Sequence, residues 1–264
     1  MSDKDKIKRI IKSLYVQPRE SRKGQNGKLL IIGGSRHYHG APMLSILAAR
    51  RFVDLLYFYP AENDYYLINT VKTIPEVIVV YDLEKINESD CVLFGVGIAH
   101  ATVDIDFILK NAKKLVIDGD GLKMIKEKLC ELKQPTILTP HEGEFKFLFE
   151  CEGKKENVKK MADSYGVVIL KKDPKGDIIS DGKRTIINTT HNQGMTRGGT
   201  GDVLAGLCGA LFCKNEAFDA AVASAYINGY SGEVLKKRYG YNFCASDLAN
   251  TLAESYKKIK GLIL

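Results

Sequence analysis

Short unbroken apolar runs, each closing on glycine, aspartate or proline, recur through the first half of this chain. They read KLLIIGGS at 28–35, LLYFYP at 55–60, EVIVVYD at 76–82, DCVLFGVG at 90–97 and KKLVIDGDG at 113–121. Strands that are apolar on both faces must be covered on both faces, which half-solvated antiparallel sheets do not require. Helical patterns lie between several of them, such as GAPMLSILAARRF (40–52), ATVDIDFILKNA (101–112) and GLKMIKEKL (121–129). Apolar strands alternating with helices predict an α/β fold with a mostly parallel central sheet between two helical layers. In such sheets function belongs at the carboxyl ends of the strands.

The second half continues the pattern. PTILTPHEGEFKFLF (135–149) reads as strand, loop and helix, and GVVILKK (166–172) as a strand. GDIISDGKRTIINTT (176–190) alternates around Asp181-Gly182, a hairpin signal. Helices are expected at about 200–213, 216–237 and 246–259, the last capped by Ser246 with Asp247 in its first turn. Residues 3–14 read as a surface helix, and 17–27 as a polar loop. With no linker, repeat or low-complexity tract, 1–264 is expected to be one domain, residues 1–20 forming a peripheral N-terminal helix.

The chain has 264 residues and a formal charge of +7. The excess is spread out, with no basic stripe interleaved with aromatics, so nucleic acid is not expected as a partner. The six cysteines include no CxxC pair and several sit in apolar runs. That pattern predicts reduced thiols in a cytoplasmic protein. No apolar run is long enough to cross a bilayer.

One segment carries a chemical signal. NQGMTRGGTGDVLAG (192–206) packs glycines around a single carboxylate, Asp202, just before a helix. A helix start exposes backbone N–H groups and the positive end of the dipole, a natural seat for phosphate, and glycines let the backbone come close. An acid there repels phosphate unless it holds a metal or activates a hydroxyl. A bland alternative is a tight loop with Asp202 as an N-terminal helix acid. The segment is neither a Walker loop nor a dinucleotide fingerprint after the first strand.

This segment closely resembles the signature of the ADP- or ATP-dependent NAD(P)H-hydrate dehydratases, which have the carbohydrate kinase-like domain of the ribokinase-like superfamily. KGQNGKLLIIGGSRHYHGAP (23–42), GVGIA (95–99), VIDGDGL (116–122), ILTPHEGEF (137–145), VVILKK (167–172) and ASDL (245–248) resemble the same family in the same order. The resemblance implies a three-layer ribokinase-like fold. It also implies repair of the S-epimer of hydrated NADH or NADPH: the C6 hydroxyl is phosphorylated from ADP or ATP with Mg2+, and phosphate then leaves, yielding AMP or ADP.

Carried over by position, the resemblance makes Asp202 the catalytic base. It places Ala41, Gly97, His141 and Asp202 against the hydrated cofactor. It places Lys171, Lys172, Asp173, Pro174, Lys175, Gly198, Gly199, Thr200 and Gly201 around the adenine nucleotide. Glu144 and Asp118 are candidates for ordering magnesium, Glu144 being equally suited to cap the following helix. Asp118 and Asp120 both follow a strand, and either one can face the site. His37 and His39, two apart in a loop, are read as surface or phosphate contacts rather than a metal pair. The chain departs from the family pattern at Val96 and Glu142, both usually proline, at Lys172, usually glycine, and at Asn228, usually histidine.

The nearest rival is a kinase of the same superfamily acting on a vitamin-precursor alcohol or sugar. A second is a non-catalytic nucleotide-binding regulator. GGSRHYHGAP and TPHEGEF favour the dehydratase, and the retained Asp202 argues against lost catalysis. The chain is expected to lack the epimerase fused to some family members, so that a separate epimerase would be its partner. A homo-oligomer is expected from the family.

Overall fold

A computed structural model describes residues 2–263. Nine strands form one sheet: β1 (Lys28–Gly33), β2 (Leu55–Pro60), β3 (Val77–Val79), β4 (Cys91–Phe94), β5 (Leu115–Ile117), β6 (Thr136–Leu138), β7 (Val168–Lys171), β8 (Asp177–Ser180) and β9 (Thr185–Asn188). Their order across the sheet is β3-β2-β1-β4-β5-β6-β7-β8-β9. β1 to β7 pair in parallel, whereas β7–β8 and β8–β9 pair antiparallel. The parallel strands therefore all end on one edge of the sheet.

Unbroken apolar strands follow from burial on both faces. In β1, Leu29 and Ile31 enter one core and Leu30 and Ile32 the other, each fully buried. The first core is roofed by α1 (Asp3–Ser13), α2 (Gly40–Ala49), α3 (Tyr65–Val71), α8 (Thr200–Phe212), α9 (Ala217–Tyr239) and α10 (Ala245–Ile263). The second is roofed by α4 (Ile105–Asn111), α5 (Asp120–Met124), α6 (Glu142–Phe149) and α7 (Lys155–Tyr165). Each fully buried Leu or Ile contributes roughly 1.5–3 kcal/mol.

The hairpin forms as expected, with a loop over 181–184. There Asp181 Oδ1 accepts from the N–H groups of Lys183 and Arg184, at 3.0 and 2.5 Å. One feature differs from the sequence reading. Ser246 does not cap α10: the helix begins one residue earlier, and the Asp247 carboxylate accepts from Cys244 N–H at 2.9 Å, tying the helix start from inside the first turn. The charged run EGKKENVKK (152–160) keeps its lysines in solvent and is largely helix α7, with Val158 and, just beyond the run, Ala162 turned into the core.

Two helices set the site. Ser45 Oγ of α2 donates to the backbone oxygen of Asp202 in α8, at 2.8 Å. At Gly206 an added Cβ would lie 2.3 Å from the Ser45 carbonyl oxygen, so α2 and α8 meet backbone to backbone.

Candidate active site

The carboxyl ends of β5, β6 and β7 deliver three of the polar groups. Asp118 follows β5 and is buried, accepting from Thr139 Oγ1 at 2.7 Å and from Lys172 Nζ at 2.8 Å. Lys172 follows β7, and its N–H donates to the Pro140 carbonyl at 2.9 Å, extending the β6–β7 pairing to set His141 beside Lys172. Asp120 has a different task. It accepts from Ala99 N–H at 2.8 Å and pairs with Lys123, fixing the 95–99 loop to α5. Of the two aspartates, Asp118 belongs to the polar cluster.

His141 caps α6. Its Nδ1 accepts from the N–H groups of Gly143 and Glu144, at 3.0 and 3.2 Å, and Glu144 Oε2 accepts from His141 N–H at 2.8 Å. This is a capping box with histidine in the serine position. With Nδ1 accepting, the neutral ring carries its proton on Nε2, and the side chain is 60 % exposed. Glu144 fills the capping role and also lies 4.0 Å from Lys172 Nζ.

Asp202 sits in the first turn of α8, which opens on Gly199 at φ 91°. Any side chain at Gly199 would be strained there and would meet Leu44 Cδ1 at 2.3 Å. Burial pushes the Asp202 carboxyl up to about 7, with the Asp118 charge adding to it and Lys172 opposing. Burial alone would lower Lys172, but the charges of Asp118, Glu144 and Asp202 hold it above its ordinary value. Burial, with help from Asp118 and against Lys172, raises Glu144. The cluster is thus three carboxylates around one ammonium, short of positive charge.

A cavity of about 460 Å³ opens beside it. His141, Lys172, Asp173, Pro174, Thr200 and Gly201 line it, together with Asp177, the 190–196 loop, Leu204, and Ala225, Asn228 and Gly229 of α9. Ala41, in the first turn of α2, and Gly97, in the 95–99 loop, are not among the residues that line the cavity. An added Cβ at Gly97 would be 2.9 Å from Ala41 Cβ, so these two positions form one small-residue surface. Through Ser45, α2 joins this surface to the helix that carries Asp202.

Apart from Thr200, which lines the cavity, the remaining positions named from the sequence are not among its lining residues. Lys171 does not reach this cavity. Alternation along β7 turns its side chain to the opposite face, where it is 1 % exposed and pairs with Asp173 and, at 2.7 Å, with Glu142. Lys175 lines a separate hollow with Lys171. Gly198 is exposed at the approach to α8, and Thr200 spends its hydroxyl on the Met195 carbonyl at 2.7 Å. Glu142 ties α6 to Lys171 and to Gly153 N–H, and Val96 is buried. His39 precedes α2 without capping it. Among the described residues no group of three or more His, Cys, Asp or Glu is arranged to hold a metal ion.

Sequence reasoning did not pick out Asp177, Thr190, His191, Asn192 or Met195. Burial pushes the Asp177 carboxyl up to about 6 against a hydrogen bond from the Asp173 N–H. The one available signal was position: Asn192 and Met195 lie within the glycine-rich segment 192–206, and Thr190 and His191 directly precede it.

Residues 29–254 match a family model described as NAD(P)H-hydrate dehydratase. A bifunctional NAD(P)H-hydrate repair enzyme from Methanocaldococcus jannaschii is 37 % identical, over 94 % of this chain and 51 % of its own length. The chain thus spans about half of that relative. An ADP-dependent (S)-NAD(P)H-hydrate dehydratase from Cenarchaeum symbiosum is 33 % identical, over 99 % of this chain and 98 % of its own length. In fold, the chain is similar to the Bacillus subtilis ADP/ATP-dependent NAD(P)H-hydrate dehydratase co-crystallised with ATP and Mg2+. The TM-score is 0.83 at 24 % identity, covering 96 % of this chain and 97 % of that one. A hydroxyethylthiazole kinase from Pyrococcus horikoshii shares the fold at a TM-score of 0.61 and 16 % identity, covering 96 % and 93 %.

Proposed function

Because this chain belongs to the NAD(P)H-hydrate dehydratase family, we propose that it repairs the S-epimer of hydrated NADH or NADPH at the expense of an adenine nucleotide. ADP is the proposed phosphoryl donor, since the full-length archaeal relatives are named ADP-dependent. The observation that carries this reading is Asp202: a half-buried acid at a helix start, its carboxyl raised by burial and Asp118 and opposed by Lys172, on a helix bonded through Ser45 to α2, which carries Ala41.

Hydroxide is a poor leaving group and phosphate a good one, so the enzyme's task is alignment and charge neutralisation. Asp202 takes the proton of the C6 hydroxyl as its oxygen attacks the terminal phosphorus, and AMP departs from ADP (or ADP from ATP). The first-turn N–H groups from Gly199 to Gly201 and the Lys172 ammonium stabilise the transferred group. Phosphate then leaves C6 with its bonding pair, pushed by the ring nitrogen lone pair. Loss of a C5 proton restores the C5–C6 double bond. Ala41 and Gly97 give the nicotinamide side a flat seat, and His141 offers Nε2–H to a substrate oxygen.

The protein groups suit magnesium as a guest of the nucleotide phosphates, because Mg2+ is commonly held by one or two carboxylates plus phosphate oxygens. Glu144 and Asp118 would be those carboxylates, and the ion would neutralise phosphate charge. Lys172 at their centre leaves no all-protein cage. The enzyme is proposed to act in the cytoplasm, where its six thiols stay reduced, as a homo-oligomer supplied by a separate epimerase.

The test is to incubate the protein with hydrated NADH, Mg2+ and ADP or ATP, and to follow return of the reduced-nicotinamide absorbance. Nucleotide-dependent recovery supports the reading. Recovery without nucleotide, or phosphorylation confined to a panel of vitamin-precursor alcohols, rejects it.

A further inference from the structure

The carboxylate of Asp118 is 5 % exposed and is held through one oxygen. Its Oδ1 accepts from Lys172 Nζ at 2.8 Å and from Thr139 Oγ1 at 2.7 Å. A carboxylate oxygen offers two lone pairs, and both are used here. Thr139 belongs to neither strand that delivers the ion pair. It follows β6 by one residue and is itself 1 % exposed. The Thr139 hydroxyl has one proton and two acceptors in reach. The Ile117 carbonyl is the farther, at 3.3 Å, and already accepts from Thr139 N–H at 3.1 Å. Asp118 Oδ1 is nearer and charged, and a charge-assisted bond is roughly twice as strong. The proton therefore goes to Asp118. Valine has the same branching and nearly the same shape, and suits a strand end as well. It would leave this buried oxygen one donor short.

What Asp118 holds in turn is the Lys172 ammonium. A lysine carries many rotamers, and fixing one of them costs entropy. Lys172 Nζ lies 3.4 Å from the place a Cβ on Gly201 would take, beside the start of α8, and both residues line the cavity. Other acids compete for this ammonium: Glu144 Oε2 is 4.0 Å away, and the charge of Asp202 also acts on it. An Asp118 free to turn would release Lys172 to those rivals. The hydroxyl on the neighbouring strand removes that freedom.

We propose that Thr139 is a positioning residue for phosphoryl transfer: its hydroxyl locks Asp118, and Asp118 keeps the Lys172 ammonium at the start of α8. Thr139 is not among the residues that line the cavity, so it acts only through these two side chains. The inference rests on the reading of that cavity as the nucleotide site, and it names what aligns the cation at the phosphate end. Alignment of this kind governs the transition state more than ground-state binding.

The test compares Thr139→Val, which keeps the shape, with Thr139→Ser, which keeps the hydroxyl. The intact protein is assayed with Mg2+, ADP and hydrated NADH. Thr139→Val should lower kcat roughly tenfold or more and leave KM for hydrated NADH within about threefold. Thr139→Ser should stay within about threefold of the wild type in both. A packing role predicts the reverse order, so a Thr139→Val as active as Thr139→Ser overturns the inference. Urea denaturation gives a second readout that needs no turnover. With Asp118→Asn already in place the lost bond is no longer charge-assisted, and Thr139→Val should move the midpoint about half as far as it does alone, or less. An equal shift in the two backgrounds overturns the inference. If Thr139→Val alone does not fold, the double variant decides: folding supports the coupling, and failure to fold overturns it. In each overturning case the wild type still performs ADP-dependent repair, and the functional reading stands. A wild type without nucleotide-dependent repair removes the functional reading, and this inference with it.

Discussion

Replacing Asp202 with asparagine separates what this acid does for catalysis from what it costs the fold. The substitution keeps the shape of the side chain, and the Ser45 bond goes to the backbone oxygen, which is unchanged. In the folded chain burial and the neighbouring Asp118 raise the Asp202 carboxyl from 3.8 to about 7. A carboxyl raised on folding favours the folded state while it is protonated. That contribution is complete below its unfolded value and is lost as pH rises through the folded one. The full shift corresponds to about 4 kcal/mol, reduced to roughly 2–4 kcal/mol by solvent at the cleft mouth. Asp202→Asn should therefore match the wild type in urea denaturation near pH 4. It should gain stability between pH 4 and 7, and remain roughly 2–4 kcal/mol more stable at pH 8. At pH 8 it should lose turnover by at least about 100-fold. In the wild type, kcat/KM should fall about tenfold from pH 8 to pH 6, following protonation of a base near pH 7. A variant with near-normal turnover refutes the assignment of the base. Parallel stability–pH curves for the two proteins refute the electrostatic argument.

Lys172→Met leaves Asp118 buried without its partner and should cost roughly 3–5 kcal/mol in chemical denaturation; adding Asp118→Asn should restore most of it, and neither change should spare kcat. Lys171→Met also breaks a buried pair and should destabilise measurably while leaving kcat within about threefold; steady-state kinetics of the two lysine variants side by side test the division between the faces of β7. Gly97→Ala places a methyl 2.7 Å from the Tyr38 carbonyl oxygen at φ 66° and should raise KM for the hydrated cofactor more than KM for ADP. Gly206→Ala forces α2 from α8 and should lower stability by roughly 1–3 kcal/mol with a disproportionate loss of kcat.

The parallel core was legible because a strand buried on both faces has to be apolar throughout, and β1, β2 and β4 are. Helix α7 was not: its two buried residues, Val158 and Ala162, give little periodic signal in a lysine-rich segment, and only the core beneath it reveals its apolar side. At the site, glycine density before α8 pointed to Asp202 because both the dipole and the missing side chains are local properties. The orientation of Lys171 and Lys172 follows from where β7 stops alternating, which pairing with Pro140 decides across the sheet. Asp118 and Asp120 could not be told apart for the same reason: their partners Lys172 and Ala99 come from different parts of the chain. Thr190 and His191 stand just outside the 192–206 segment, and only their placement over α9 puts them on the cavity wall.

The backbone contact between α2 and α8 has a mechanical consequence. The helix that carries the acid is clamped to the helix that begins beside the proposed nicotinamide seat, without an intervening hinge. The proton acceptor and that seat are therefore expected to move as one rigid piece, while the 190–196 loop and the tip of β7 can adjust to the nucleotide. Substitutions deep in that seam, far from either ligand, would then register first as misaligned phosphoryl transfer and only afterwards as weakened binding.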